Sequence, residues 1–150
     1  MKICAIDPGP TQSGWCMLWG DEPPHAGVSD NAGLLAWVPH IVCDQFAIEN
    51  VASYGMPVGE EVFATVRWIG RFQQASRDPE SVLLIPRKRV LLHLCNTPRA
   101  NDAAVRQRLI DLYGGKERAI GSKKAPGPLY SVKSHMWAAL AVAITAKEEG

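Results

Sequence analysis

The order of the elements that the sequence predicts indicates an α/β fold, in which a mixed sheet carries helices on its faces. Short apolar runs bounded by glycine, proline or polar turn residues are typical of strands, and five are present: 2–7, 14–19, 26–28, 45–48 and 81–86. Apolar residues at helical spacing cover four further segments: 32–42, 58–75, 97–113 and 132–148. Three hairpin-like strands come first, and the later strands alternate with helices, which together predict the mixed sheet.

Length and composition are those of an ordinary globular protein. The chain has 150 residues, 47% of them hydrophobic, and we expect a single domain over 1–150 with a core of its own. It contains no apolar run of about 18 residues, and its first segment, MKICAID, leads directly into a strand and does not resemble a signal peptide. The four cysteines form no CxxC pair, so we expect reduced thiols and no zinc site. These features predict a cytoplasmic location, in a cell or in a phage host.

The net charge of +1 hides a partition along the chain. Residues 1–66 contain one Lys and eight Asp or Glu, a net charge of −7, whereas residues 67–133 contain fourteen Lys or Arg and five Asp or Glu, a net charge of +9. An acidic part that holds metal ions beside a basic part that holds phosphate is what a nucleic-acid enzyme needs. The alternative is that folding interleaves the two parts and the charges only solvate the surface.

Two carboxylates stand at the ends of predicted strands. Asp7 ends the first strand, before a Pro-Gly-Pro turn, and Glu49 follows the strand Gln45–Ile48, before a polar turn. A strand end is a rigid place to hold a charged group, and a polar loop beside it leaves room for a ligand. Each residue also has an ordinary explanation, Asp7 as a turn-forming side chain and Glu49 as a solvated one.

Capping residues and periodicity indicate where the helices lie. Thr97-Pro98 predicts the start of the helix at 97–113, and Gly114-Gly115 predicts its end. The segment 90–95 fits either a short helix or a strand. The predicted buried face of the helix at 58–75 consists of four residues: Val62, Val66, Ile69 and Phe72.

Motifs spread over nearly the whole chain resemble one family. The chain opens with IDPG and SGW, has AIEN at the end of its middle strand, and closes with the Ala-rich stretch HMWAALAVAI. In this order and spacing the motifs resemble the RuvC-like Holliday-junction resolvases of the ribonuclease H-like superfamily. The stretches ASYGMPVGEEVF and LHLCNTPRAND resemble the short, phage-associated branch of these enzymes. The resemblance implies a ribonuclease H-like mixed sheet of five strands, flanked by helices.

The resemblance also implies a site for two divalent cations. In such enzymes, residues of the first strand, the middle strand and the last helix converge on Mg²⁺, for which Mn²⁺ is expected to substitute. Mg²⁺ prefers oxygen ligands, and two ions activate a water while they stabilise the leaving oxygen. Asp7 and Glu49 match the two strand positions, and His135 matches the first position of the last helix. These three are the predicted catalytic residues and metal ligands.

The chain departs from the family pattern at one ligand. Three residues after His135 the pattern usually has an Asp, whereas this chain has Ala138. Glu60, Glu61 and Asp102 are the candidates for the missing ligand, and we expect Asp102 first. Asp102 has an alternative explanation as a helix ion pair with Arg99 and Arg106, and the pattern often has a Lys near this position. The alternative for His135 is a surface or capping residue.

The resemblance further implies contacts with DNA and a two-fold dimer. The predicted DNA contacts are one aromatic residue and eight basic residues: Tyr54, Arg87, Lys88, Arg89, Arg99, Arg106, Lys116, Lys123 and Lys124. Tyr54 either stacks on an unpaired base or packs on its own helix. Paired nicking of a nearly symmetric junction requires a homodimer. Phe63, Trp68 and Phe72 are candidates for its interface, with the core as the alternative.

The function that these observations predict is a Mg²⁺-dependent, homodimeric, structure-selective endonuclease that resolves Holliday junctions or other branched DNA by paired nicks. A junction-binding protein with impaired catalysis is the main alternative, because of Ala138. A flap-specific or fork-specific nuclease of the same fold is a further alternative.

Overall fold

A computed structural model describes residues 1–52, 55 and 57–149, and these form a five-stranded mixed sheet with helices on both faces. The strands are β1 (Lys2–Asp7), β2 (Gln12–Trp19), β3 (His25–Asp30), β4 (Gln45–Asn50) and β5 (Leu83–Pro86). Their order across the sheet is β3-β2-β1-β4-β5. The β1–β2 and β2–β3 pairs are antiparallel, while β4 runs parallel to both β1 and β5. The predicted hairpin and mixed sheet are thereby confirmed.

Six α-helices lie in the described part of the chain: α1 (Asn31–Trp37), α2 (Glu60–Ala75), α3 (Arg87–Cys95), α4 (Asp102–Leu112), α5 (Lys116–Ala119) and α6 (Met136–Glu149). Short 3₁₀ turns occupy Val38–His40 and Pro79–Ser81. None of the helices in this part of the chain is long and apolar enough to cross a membrane.

The sheet divides the interior into two cores. Because side chains alternate along a strand, Ile3 and Ala5 of β1 face the core under α6, while Cys4 and Ile6 face the core under α1 and α2. All residues of α6 from 139 to 146 are buried, and half of them are alanines, which let this helix approach the sheet closely. The close packing of α6 brings its first residues to the end of β1.

Two helices begin later than their sequence signals predict. The start predicted at Thr97-Pro98 is wrong, because α4 begins at Asp102 after Asn101, whose side chain accepts a hydrogen bond from the Ala104 amide at 2.9 Å. Thr97 instead accepts a hydrogen bond from the Arg99 amide in a turn. Thr97 and Asn101 are both suitable N-cap residues, and Asn101 is the one that caps α4. Similarly, α6 begins at Met136, so the position of His135 within a helix is corrected to the residue just before it.

The region after β5 is a helix rather than a strand. α3 starts at Arg87, directly after Pro86, so the three consecutive basic residues form its first turn. Asn96 ends the helix in the left-handed conformation, with φ of 60°. The buried face predicted for α2 is confirmed at Ile69 and Phe72, but Val66 is 45% exposed.

Candidate active site

Two carboxylates meet at one edge of the sheet. β1 and β4 are parallel with Ile6 paired to Ile48, so Asp7 and Glu49 leave adjacent strands side by side. Their side chains are 12% and 16% exposed. They line a cleft of about 530 Å³ that also contains residues 8–12, Thr65, Arg87, Asp102, His135 and Ala138. The strand-end carboxylates are therefore neither a plain turn residue nor a solvated side chain.

Burial and proximity change the acidity of this pair. Burial is the main cause that raises the pKa of Glu49 to about 8, and the adjacent Asp7 charge raises it further. The pKa of Asp7 is also raised, chiefly by burial, against the opposing effect of Arg87. Two buried carboxyl groups this close disfavour carrying two negative charges at once, and a bound cation would offset that repulsion.

Glu49 has an unsatisfied oxygen. Its Oε1 atom is buried and accepts no hydrogen bond within the described part of the chain, and Arg87 Nη1 lies 3.5 Å from it. A buried acceptor without a hydrogen-bond partner is costly, and the ion pair with Arg87 offsets part of that cost. The same guanidinium hydrogen-bonds Asp102 through Nη2.

His135 lies beside Asp7 because Gly14 leaves room for its backbone. The imidazole Nδ1 lies 3.5 Å from Asp7 Oδ2, and the ring is 58% exposed. Gly14 stands opposite Asp7 in the β1–β2 pair, and a Cβ atom there would lie 2.5 Å from the His135 carbonyl oxygen. Only a glycine allows this approach, which places the start of α6 against the hairpin.

A buried polar network holds the turn after Asp7. The Ser13 hydroxyl donates to Asn31 Oδ1 at 2.6 Å and accepts from the Gly9 amide at 3.2 Å. Asn31 Nδ2 donates to the Gly9 carbonyl at 2.9 Å, and both polar side chains are 1% exposed. Sequence reasoning missed the contact between Ser13, which lies in the SGW motif, and Asn31, because the two residues are 18 positions apart and only the fold brings them together.

The metal ligands predicted from the sequence are only partly brought together. Among residues 1–52, 55 and 57–149, no three His, Cys, Asp or Glu side chains form a group that could hold a metal ion. The donors that fit a hard cation are the carboxylates of Asp7 and Glu49, because Mg²⁺ is usually held by one or two carboxylates and water. Asp102 lines the same cleft, but its side chain is 90% exposed and engages Arg87.

Some of the predicted DNA contacts line this cleft or the one beside it, and others do not. Arg106 is over the ring of Trp137, at 5.4 Å from the centroid, and lines an adjoining cleft of about 270 Å³ with Arg87 and His135. Arg89 is turned away and pairs with Glu149. The remaining predicted contacts lie in the first turn of α3, before α4 and between α4 and α6: Lys88, Arg99, Lys116, Lys123 and Lys124. Tyr54 lies outside the described residues.

The five-stranded mixed sheet and its helices have a RuvC-like, ribonuclease H-like fold, as the sequence predicts. The chain is similar to the RuvC structure of Thermus thermophilus, with 21% sequence identity and a TM-score of 0.67 over 99% of this chain and 97% of that one. It is also similar to T. thermophilus RuvC in complex with a Holliday junction substrate, with 21% identity and a TM-score of 0.65 over 97% and 92% of the two chains. No protein-family profile and no curated protein matches the sequence. The phage-associated branch stays a prediction.

Proposed function

We propose that this chain is a divalent-metal-dependent endonuclease that resolves Holliday junctions or other branched DNA by paired nicks. The observation that carries the proposal is the pair Asp7 and Glu49, which are buried side by side at the carboxyl ends of parallel strands and line one cleft. Support for the substrate class comes from the similar T. thermophilus RuvC, whose structure contains a Holliday junction.

In the proposed mechanism, the carboxylates of Asp7 and Glu49 would hold the divalent cation, Mg²⁺ in the first place and Mn²⁺ as a substitute. When bound, such an ion supplies Lewis-acid stabilisation of the phosphate and a more acidic water. Asp7 lies between Glu49 and His135, so its oxygens orient both partners. His135 is exposed on its outer side, where its ring can exchange a proton with a reacting water. Asp102 as a further ligand, and a second ion, remain hypotheses.

The DNA backbone is proposed to approach over the cleft edges. Arg106 offers a guanidinium held against Trp137, so less side-chain freedom is lost when it binds a phosphate. The exposed Arg99, Lys116, Lys123 and Lys124 extend the positive surface along the second half of the chain. The role of Tyr54 stays a prediction.

A homodimer is proposed through the outer face of α2. Phe63 is 51% exposed and Val66, three residues later, is 45% exposed, so an apolar stripe remains on that face. Phe72 is fully buried, which contradicts its candidacy for the interface and supports the core alternative. The Trp68 ring contacts that of Phe72, with centroids 5.6 Å apart, and the Arg71 guanidinium lies over the Trp68 ring at 4.2 Å from its centroid.

The decisive experiment is nicking of a panel of four-way, three-way, flap and linear duplex DNA with Mg²⁺ or Mn²⁺. We expect Asp7→Asn and Glu49→Gln to lose nicking by at least about 100-fold, because each removes a charge that must bind the cation. Junction binding should persist in both. Glu22→Gln, at an exposed turn, is the matched control and should nick normally. Full activity of either site variant would overturn the assignment.

A junction-binding protein without efficient cleavage is the second candidate. Ala138 lines the cleft where the family pattern has a carboxylate, and the described part of the chain has no three-ligand group. Titration of Mg²⁺ and Mn²⁺ over the wild-type protein separates the two candidates. Tight binding of the four-way junction without nicking at any metal concentration favours the binder, whereas preferred nicking of flaps favours a flap or fork nuclease.

A further inference from the structure

Arg87 is placed where the protein already carries two acids. It follows Pro86, which pairs with Asn50 in the β4–β5 register, so it leaves the sheet beside Glu49. Its guanidinium reaches into the cleft, with Nη1 3.5 Å from Glu49 Oε1 and Nη2 hydrogen-bonded to Asp102. The side chain is 31% exposed, so most of it is enclosed by the cleft.

The local structure alone would not favour this charge. Arg87, Lys88 and Arg89 form the first turn of α3, which contains no acidic residue. The positive end of a helix dipole disfavours cations, so a guanidinium there needs acidic partners from elsewhere in the fold. Arg89 is turned toward Glu149 and Arg87 toward Glu49 and Asp102. The direction of the Arg87 side chain is therefore determined by the acids of the cleft.

We infer that Arg87 is an internal counter-ion that competes with the divalent cation for the carboxylate of Glu49. In the metal-free protein its guanidinium lies beside the Glu49 oxygen that a cation would use, and cation binding requires it to withdraw from that oxygen. Asp102 holds the withdrawn guanidinium at the cleft rim, so Asp102 serves Arg87. Arg87 is thus a positioning residue, and this role rests on the proposed metal-dependent function.

Metal affinity tests the inference without use of the nuclease reaction. Calorimetric titration of Mn²⁺ into DNA-free protein compares the wild type, Arg87→Gln and Arg108→Gln, the last with its exposed arginine on α4. A unit positive charge a few ångströms from the cation weakens its binding, so Arg87→Gln should bind Mn²⁺ about 3- to 10-fold more tightly. Arg108→Gln should stay within about twofold of the wild type. An Arg87 that only supports the structure would give unchanged or weaker binding, which would overturn the inference.

Thermal unfolding gives a second readout if Arg87→Gln folds poorly. With a chelator present, the variant should have a lower Tm than the wild type, because Glu49 and Asp102 lose their cation. With saturating Mn²⁺ the difference should shrink, since the ion replaces the guanidinium at Glu49. An equal loss of Tm with and without Mn²⁺ would contradict the inference.

The two proposals fail in different ways. If the wild type nicks branched DNA but Arg87→Gln does not bind Mn²⁺ more tightly, only the counter-ion role fails. If the wild type nicks no substrate while Arg87→Gln still binds Mn²⁺ more tightly, the nuclease function fails and the counter-ion role stands.

Discussion

Gly14→Ala tests whether the hairpin positions His135. The added Cβ would lie 2.5 Å from the His135 carbonyl oxygen, 2.9 Å from its carbonyl carbon and 3.1 Å from its Cβ. These atoms cannot move independently, because the same carbonyl accepts a hydrogen bond from the Ala139 amide at 3.1 Å as α6 begins. To restore an ordinary contact, β2 and the start of α6 must separate by roughly 1 Å.

That separation has two measurable consequences. Overpacking of this kind costs about 1–3 kcal/mol, which urea denaturation should show as a reduced free energy of unfolding. A displacement of about 1 Å between His135 and Asp7 should lower nicking of a four-way junction by roughly 10- to 100-fold. The loss should appear in kcat more than in junction affinity, since the proposed phosphate contacts are made by other residues.

Gly70→Ala is the matched control, because a Cβ at this helical position of α2 meets nothing within 4 Å. It should raise the free energy of unfolding by about 0.5–1 kcal/mol, as alanine favours the helix. A Gly14→Ala protein that unfolds and nicks like the wild type would refute the argument that this contact places His135.

Two further predictions concern Glu49 and the outer face of α2. Burial and the adjacent Asp7 raise the pKa of Glu49 from 4.5 to about 8. Between pH 4.5 and pH 8, Glu49 therefore keeps its proton in the folded protein but has lost it in the unfolded chain. The stability of the metal-free protein therefore falls as the pH rises through this window. Glu49→Gln should remove this pH dependence. In urea denaturation with a chelator, the variant should be more stable than the wild type by about 1–3 kcal/mol at pH 8.5 and no more stable at pH 4.5. A parallel pH dependence of the two proteins would contradict this prediction. Phe63→Glu should convert the proposed dimer to a monomer in sedimentation experiments, since it puts a charge on the apolar stripe of α2. Folding should stay near normal, because Phe63 is 51% exposed. An unchanged sedimentation coefficient would exclude this face as the dimer interface.

Local patterns predicted much of the fold because they act over a few residues. The apolar runs that end at Asp7 and before Glu49 became β1 and β4, with both carboxylates at the predicted edge. Helix boundaries were less well predicted where two local signals competed, as between Thr97 and Asn101. The starts of α4 and α6 depend on contacts that single-residue preferences do not contain.

The sequence by itself determined the sheet, its helices and the two carboxylates of the candidate site. Periodicity and turn chemistry encode these features directly, and the family resemblance added His135. Only the tertiary structure decided how the site is completed: Gly14 admits the His135 backbone, and Arg87 turns into the acidic cleft toward Asp102. Each contact joins residues far apart in the chain, and each depends on strand register and helix docking. Such contacts follow from the packed geometry and leave no pattern in a linear sequence.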